Sequence, residues 1–156
     1  MTHLLRTTEV KIVAVDDRYI PKYKTEGAAC ADAFAFLPED MGAKRILLQP
    51  KTRVKVPLGF SIQLPPGWEL QVRGRSGHAD KSGIMVTNGI GTIDSDYRGP
   101  VTVLLYNSSD DPFVIEDGDR VAQVCIQPTY RIAWNRVSEL DPTDRGEGGF
   151  GSTGNK

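Results

Sequence analysis

Between residues 54 and 64 every second residue is a large apolar one: Val54, Val56, Leu58, Phe60, Ile62 and Leu64. That period belongs to an extended strand with one face buried and the other wet. Pro57 falls on the opposite face and points to an edge or a bulge. No stretch keeps a helical period for more than a turn or two, and 16 glycines and 10 prolines punctuate the 156 residues. Chains built this way fold as short strands joined by tight turns. Strands are expected at 9–15, 45–48, 54–64, 69–73, 101–106, 112–115 and 121–126, with a last one at 131–137 that packs Trp134. Helical turns are expected at 38–43 and at 78–82, the second N-capped by Ser76. About ten short strands imply an all-β, jelly-roll-like sandwich over residues 1–144. The remainder, 145–156, reads as a flexible Gly-rich C-terminal arm, with five glycines between 146 and 154.

The formal net charge is −1, so no global field draws nucleic acid, and an anionic ligand needs a local cluster of Arg and backbone amides. The N-terminus, Met-Thr-His-Leu-Leu-Arg, carries neither a cleavage signal nor a membrane-length apolar run. Cys30 and Cys125 sit far apart in apolar surroundings, which reads as buried free thiols in a reducing compartment, with no disulfide framework and no metal spacing. These features point to a cytoplasmic protein with no nucleic-acid or membrane partner; a viral or phage source stays open.

The chemistry concentrates in Asn88-Gly89-Ile90-Gly91-Thr92-Ile93-Asp94-Ser95-Asp96-Tyr97-Arg98-Gly99. Asn-Gly signals a two-residue hairpin, whose free backbone groups suit the edge of a planar heterocycle. Asp94 ends the returning strand, where a carboxylate can orient and deprotonate a water. Against this stands an ordinary solvated Asp-rich turn. Arg75-Ser76-Gly77 offers a guanidinium fork beside a helix start, a pairing suited to phosphate, although such tripeptides also make plain turns. Asp32 interrupts a run of small apolar residues, either as a surface turn residue or as a carboxylate near a cation. Gln123 lies within an apolar run, where it either bonds backbone or meets a ligand. His78 lacks a His or Cys neighbour and reads as structural or solvated. In the arm, Arg145 suits a phosphate and Phe150 a base face, so an arm that orders over a ligand would act as a lid.

Five segments in order resemble the trimeric dUTP diphosphatases (dUTPases): Ala29-Cys30-Ala31-Asp32-Ala33, Gly74-Arg75-Ser76-Gly77, Gly91 through Gly99, Gly118-Asp119-Arg120-Val121-Ala122-Gln123, and Arg145-Gly146-Glu147-Gly148-Gly149-Phe150-Gly151-Ser152. The likeness spans residues 26–154. Cys30 stands where the family often has Gly, and Ala33 where it often has Leu. The resemblance implies a homotrimer with sites shared between chains, and magnesium-dependent hydrolysis of dUTP to dUMP and pyrophosphate. It implies Asp94 as the base. It assigns uracil to Asn88 and the backbone of Gly91, Thr92 and Ile93, and the deoxyribose to Tyr97. The phosphates fall to Arg75, Ser76, Gly77 and Gln123, and from the arm to Arg145, Gly151 and Ser152, while Phe150 stacks on the base. Asp32 and Gln123 would meet Mg2+ indirectly, through its waters. Two other readings remain: a dCTP deaminase of the same superfamily, and a non-catalytic trimeric nucleotide-binding module.

Overall fold

Short strands joined by turns and irregular segments make up the described backbone, in the order β1 (Lys11–Ala14), β2 (Ala31–Phe34), β3 (Arg45–Leu48), β4 (Arg53–Pro57), β5 (Phe60–Gln63), β6 (Trp68–Arg73), α1 (Ser76–Ser82), β7 (Ile84–Val86), β8 (Gly91–Ile93), β9 (Thr102–Asn107), β10 (Phe113–Glu116) and β11 (Arg120–Pro128). The structure, a computed structural model, describes residues 7–39 and 44–149. Every strand pairing is antiparallel. A four-stranded sheet runs β2-β11-β6-β8, a three-stranded one β4-β9-β7, and β1-β5 and β10-β3 form ribbons. The all-β, jelly-roll-type architecture expected from the sequence is the one observed. No helix among the described residues is long and apolar enough to cross a membrane.

The alternating run at 54–64 buries the face that its period assigns, since Val56, Leu58, Phe60, Ile62 and Leu64 all lie in the core. It is two strands, however, not one. β4 pairs with β9 while β5 pairs with β1. The break falls at Gly59, whose φ is +76°. A Cβ there would lie 2.8 Å from Tyr19 Cγ. Tyr19 is fixed in turn: its hydroxyl donates to Asp117 at 2.9 Å. Burial and the Asp117 carboxylate push that phenol up to about 12. The chain therefore changes sheets at the one residue that combines left-handed backbone with close approach of a ring.

Three local expectations are corrected. The Asn88-Gly89 turn closes no hairpin, because β7 pairs with β9 and β8 pairs with β6. It is a corner between two sheets, with Gly89 at φ +74°. The cap of α1 is Arg75, and no side chain bonds the helix start; Ser76 is the first helical residue. Residues 131–137 form no strand, and Trp134 is 87% exposed. β11, the strand that precedes this segment, has both of its edges taken by β2 and β6, so the chain cannot fold back on it as a hairpin. Part of the turn expected at 38–43 lies outside the described residues.

Gly59→Ala should destabilise the protein by roughly 2–4 kcal/mol, from the left-handed backbone plus the overlap with Tyr19. Gly67→Ala shares the positive φ, at +83°, but its Cβ meets nothing within 4 Å. Thermal melting of the two variants should show the larger loss at residue 59; equal losses would remove the ring contact from the account.

Candidate active site

Asp32 is 3% exposed, so it is not the surface turn residue that one reading allowed. The β2–β11 register places it opposite Gln123, and the β11–β6 register places Gln123 opposite Arg73. Gln123 Nε2 donates to Asp32 Oδ1 at 3.2 Å, and Arg120 donates to Oδ2 at 3.0 Å. Arg75 Nε lies 3.7 Å from Oδ1. Burial works against the charge of this carboxylate. The hydrogen bonds from Arg120 and Gln123, with the charges of Arg75 and Arg120, outweigh it and hold the carboxyl below its ordinary range. Gln123 thus bonds a side chain rather than backbone. Nothing in the sequence alone marks Arg120 for this cluster beyond its place three residues before Gln123 in the same segment.

Arg75 is positioned by several contacts. One terminal nitrogen donates to the Arg120 carbonyl at 3.0 Å and lies 3.0 Å from His78 Nε2. Its Nε is buried without a hydrogen-bond partner. Next to it, the first N–H groups of α1, at Ser76 and Gly77, have no acceptor within the helix. Two guanidinium groups, free amides and a single carboxylate leave this corner of the sheet short of negative charge. His78 is structural, as its lack of ligand-type neighbours suggested: its ring packs edge-on to Phe113 at 5.3 Å. Burial first, and Arg75 second, push its pKa down.

The second half of the site surrounds β8. Asn88, Gly91, Thr92 and Ile93 line a slot of about 260 Å³, closed behind by Val72 and Val86. Most drug-sized ligands fill about 300–1,000 Å³, so this one suits a single heterocycle. β8 is the last strand of its sheet, which leaves the backbone groups on its outer side unpaired among the described residues. Free backbone groups therefore come from a sheet edge rather than a hairpin tip. A Cβ on Gly91 would lie 3.2 Å from Val72 Cβ, so glycine lets this strand approach closely. Asp94 follows directly and is exposed. Its carbonyl accepts from the Tyr97 amide at 3.1 Å. The Tyr97 ring folds over Gly99, where a Cβ would overlap its hydroxyl, and that hydroxyl donates to the Pro100 carbonyl at 3.2 Å.

The two halves do not meet within one chain. Leu70 pairs with Ile93, so Asp94 lies level with residue 69, six positions from Arg75. At the rise of an extended strand that is roughly 20 Å. Arg145 is exposed, and its Nε donates to the Gly148 carbonyl at 2.8 Å within the arm, away from either half. Phe150, Gly151 and Ser152 lie outside the described residues.

A sequence model of the dUTPase family matches residues 18–154. The deoxyuridine 5'-triphosphate nucleotidohydrolase of Caulobacter vibrioides is 49% identical over 138 residues, covering 88% of this chain and 87% of its own. The enzyme of the same name from Anaplasma marginale is 44% identical, with 94% and 98% covered. Among solved structures, a dUTPase variant of Staphylococcus bacteriophage 80alpha bound to dUpNHpp superposes with a TM-score of 0.80 at 21% identity, covering 95% of this chain and 99% of that one. The Streptococcus mutans dUTPase gives 0.69 at 27% identity, with 81% and 100% covered.

Asp32 titrates near 3.8 in an unfolded chain and lower in the fold. Its stabilisation is therefore complete above about pH 5 and is lost as pH falls through the folded value. Asp32→Asn should cost about 1–3 kcal/mol at pH 7. The deficit should shrink on acidification, read by melting at matched concentration; a deficit independent of pH would show that the carboxylate charge is not what binds this cluster together.

Proposed function

The chain belongs to the dUTPase family, and from that premise we propose that it is a dUTP diphosphatase whose site is completed by neighbouring copies of itself. It hydrolyses dUTP to dUMP and pyrophosphate, a reaction that keeps uracil out of DNA and supplies dUMP. The observation that carries the assignment of parts is the slot along β8 with Asp94 at its end. Asn88 and the outer backbone groups of Gly91, Thr92 and Ile93 take the uracil edge. Cytosine reverses a donor and an acceptor there and would leave buried groups unpaired, which costs far more than a methylene's worth of misfit. Tyr97, held over Gly99, walls off the sugar and refuses a ribose hydroxyl.

Asp94 orients a water and takes its proton as the oxygen attacks the α-phosphorus. Arg75, Ser76 and Gly77 hold the phosphates, through the free amides at the start of α1 and the guanidinium group beside them. Asp32 already balances Arg75 and Arg120, so ligating a metal directly would break both ion pairs. With Gln123 beside it, the cluster suits the water shell of a magnesium ion carried in on the triphosphate. When bound, that ion neutralises phosphate charge.

Two features support a homotrimer with shared sites. Asp94 stands about 20 Å from Arg75 in one chain. Tyr130, Trp134 and Leu140 are 92%, 87% and 87% exposed, apolar surface of the kind that another copy covers. The segment 145–156 then acts as an arm that closes over a neighbouring site, Arg145, Gly151 and Ser152 on phosphate and Phe150 on uracil. The reaction is consistent with a cytoplasmic enzyme.

Pyrophosphate should be released from dUTP but not from dCTP or dTTP, and chelation should suppress it. Ammonia from dCTP would instead identify a deaminase, and silence with every nucleotide a binding module. Asp94→Asn should retain dUTP binding while kcat falls about 10²–10⁴-fold; undiminished turnover would place the base elsewhere. Removing residues 145–156 should leave the oligomer intact by sedimentation and cripple hydrolysis. A fully active truncation would end the role of the arm.

A further inference from the structure

The β2–β11 ladder ends at the Ala31–Val124 pair, and its register, carried one step further, sets Cys30, the residue just before β2, against Cys125 of β11. The chain holds 2 cysteines, both free, and they face each other although 95 positions separate them in sequence. Cys125 is buried and Cys30 partly exposed. The thiols are close enough to interact directly; burial first, and the Cys125 sulfur second, push the Cys30 thiol up, and Arg73 beside it offsets part of that, so the reactive thiolate is a minor fraction and the reaction is slow. Residues opposite one another on antiparallel strands have Cα atoms about 4.5–5.5 Å apart, inside the window of about 4.4–6.8 Å that a disulfide spans. Because side chains alternate, Cys30, Asp32, Gln123 and Cys125 all project from one face of the sheet.

We propose that Cys30 and Cys125 form a redox pair that closes to a disulfide under hydroperoxide and thereby slows the hydrolase. Cys30, the accessible partner, attacks a peroxide oxygen as its thiolate. The O–O bond breaks, an alcohol (water, from hydrogen peroxide) departs, and Cys30 becomes a sulfenic acid. Cys125 sulfur then attacks Cys30 sulfur; the S–O bond breaks, water leaves and the S–S bond forms. Two electrons pass from the thiols to the peroxide, and both thiol protons end in the released alcohol and water.

The bond has a mechanical consequence. Bridged Cβ atoms sit about 3.8 Å apart, against about 4.5–5.5 Å for an ordinary facing pair. Closure draws β2 toward β11 by about 1 Å immediately beside Asp32 and Gln123. The carboxylate that orients Arg75 and Arg120 moves with it. A displacement of that size near a phosphate site costs on the order of ten- to a hundredfold in rate.

The pairing stands by itself, whereas its effect on turnover rests on the dUTPase reading. The test treats the full-length protein with hydrogen peroxide, blocks free thiols, and reads titratable thiols, linked peptides and dUTP hydrolysis. The expected result is loss of both thiols to one Cys30–Cys125 bridge within a chain, a ten- to hundredfold fall in kcat/KM, and recovery in dithiothreitol. Cys30→Ser and Cys125→Ser should hydrolyse dUTP normally and lose none of that activity to peroxide. Two thiols still titratable, a bridge found only between chains, or stepwise oxidation of each sulfur without a bridge would overturn the pairing. A bridge that leaves kcat/KM unchanged would overturn the brake. Protein inactive even when reduced, but still forming the bridge, would count against the assigned reaction and for the pairing.

Discussion

The antiparallel register of the sheet β2-β11-β6-β8 decides where every charged group of the site stands. It aligns Asp32, Gln123 and Arg73 in one row across three strands. A slip of one residue between β2 and β11 would turn Asp32 into the core and Ala31 or Ala33 out of it. The same sheet fixes the separation of the two half-sites, because β8 runs against β6 and carries Asp94 away from the end where Arg75 emerges. The register therefore builds a charge cluster at one end and a base-sized slot with a carboxylate at its margin along an outer strand, and leaves them apart.

The charge cluster is prepared for an anion before one arrives. A buried carboxylate shared by two guanidinium groups satisfies itself first and leaves a net positive corner. Its ionised form is held by bonds that outweigh burial, so near neutral pH the arrangement does not depend on the solution to charge it. Arg75 is braced from three sides, by Asp32, by His78 and by the Arg120 carbonyl, so its guanidinium group is held in place before any anion meets it. The slot works by shape and backbone polarity instead. Gly91 admits close approach, and Val72 and Val86 provide an apolar floor.

Much of this was legible in the sequence, and the rest was hidden for identifiable reasons. The alternating apolar run named its buried face residue by residue, and the strand at 45–48 was read to its ends. The break at Gly59 was invisible, since Leu58 and Phe60 keep the alternation across a residue whose left-handed backbone answers to a ring forty positions earlier. Asn88-Gly89 announced a turn correctly but not which strands it joins, because pairing is settled by β6 and β9 rather than by the turn itself. Asp32 looked as much like a surface residue as a buried one: Gln123 and Arg120 lie 91 and 88 residues away in sequence, and only the sheet brings them to it. Trp134 was expected to pack because it is large and apolar. Forming a strand also needs a partner, and β11, the strand just before it, is already paired on both sides by β2 and β6.

Sharing of the site between copies is the claim on which the catalytic account stands, and subunit complementation tests it most directly. Arg75→Ala and Asp94→Asn chains, each inactive alone, would be unfolded together and reassembled in equal amounts. If one copy supplies the phosphate cluster and another the carboxylate, about a quarter of all sites after random reassembly regain both intact groups, and hydrolysis of dUTP returns to about that fraction. A mixture as inactive as its two components would mean that each site is built within a single chain.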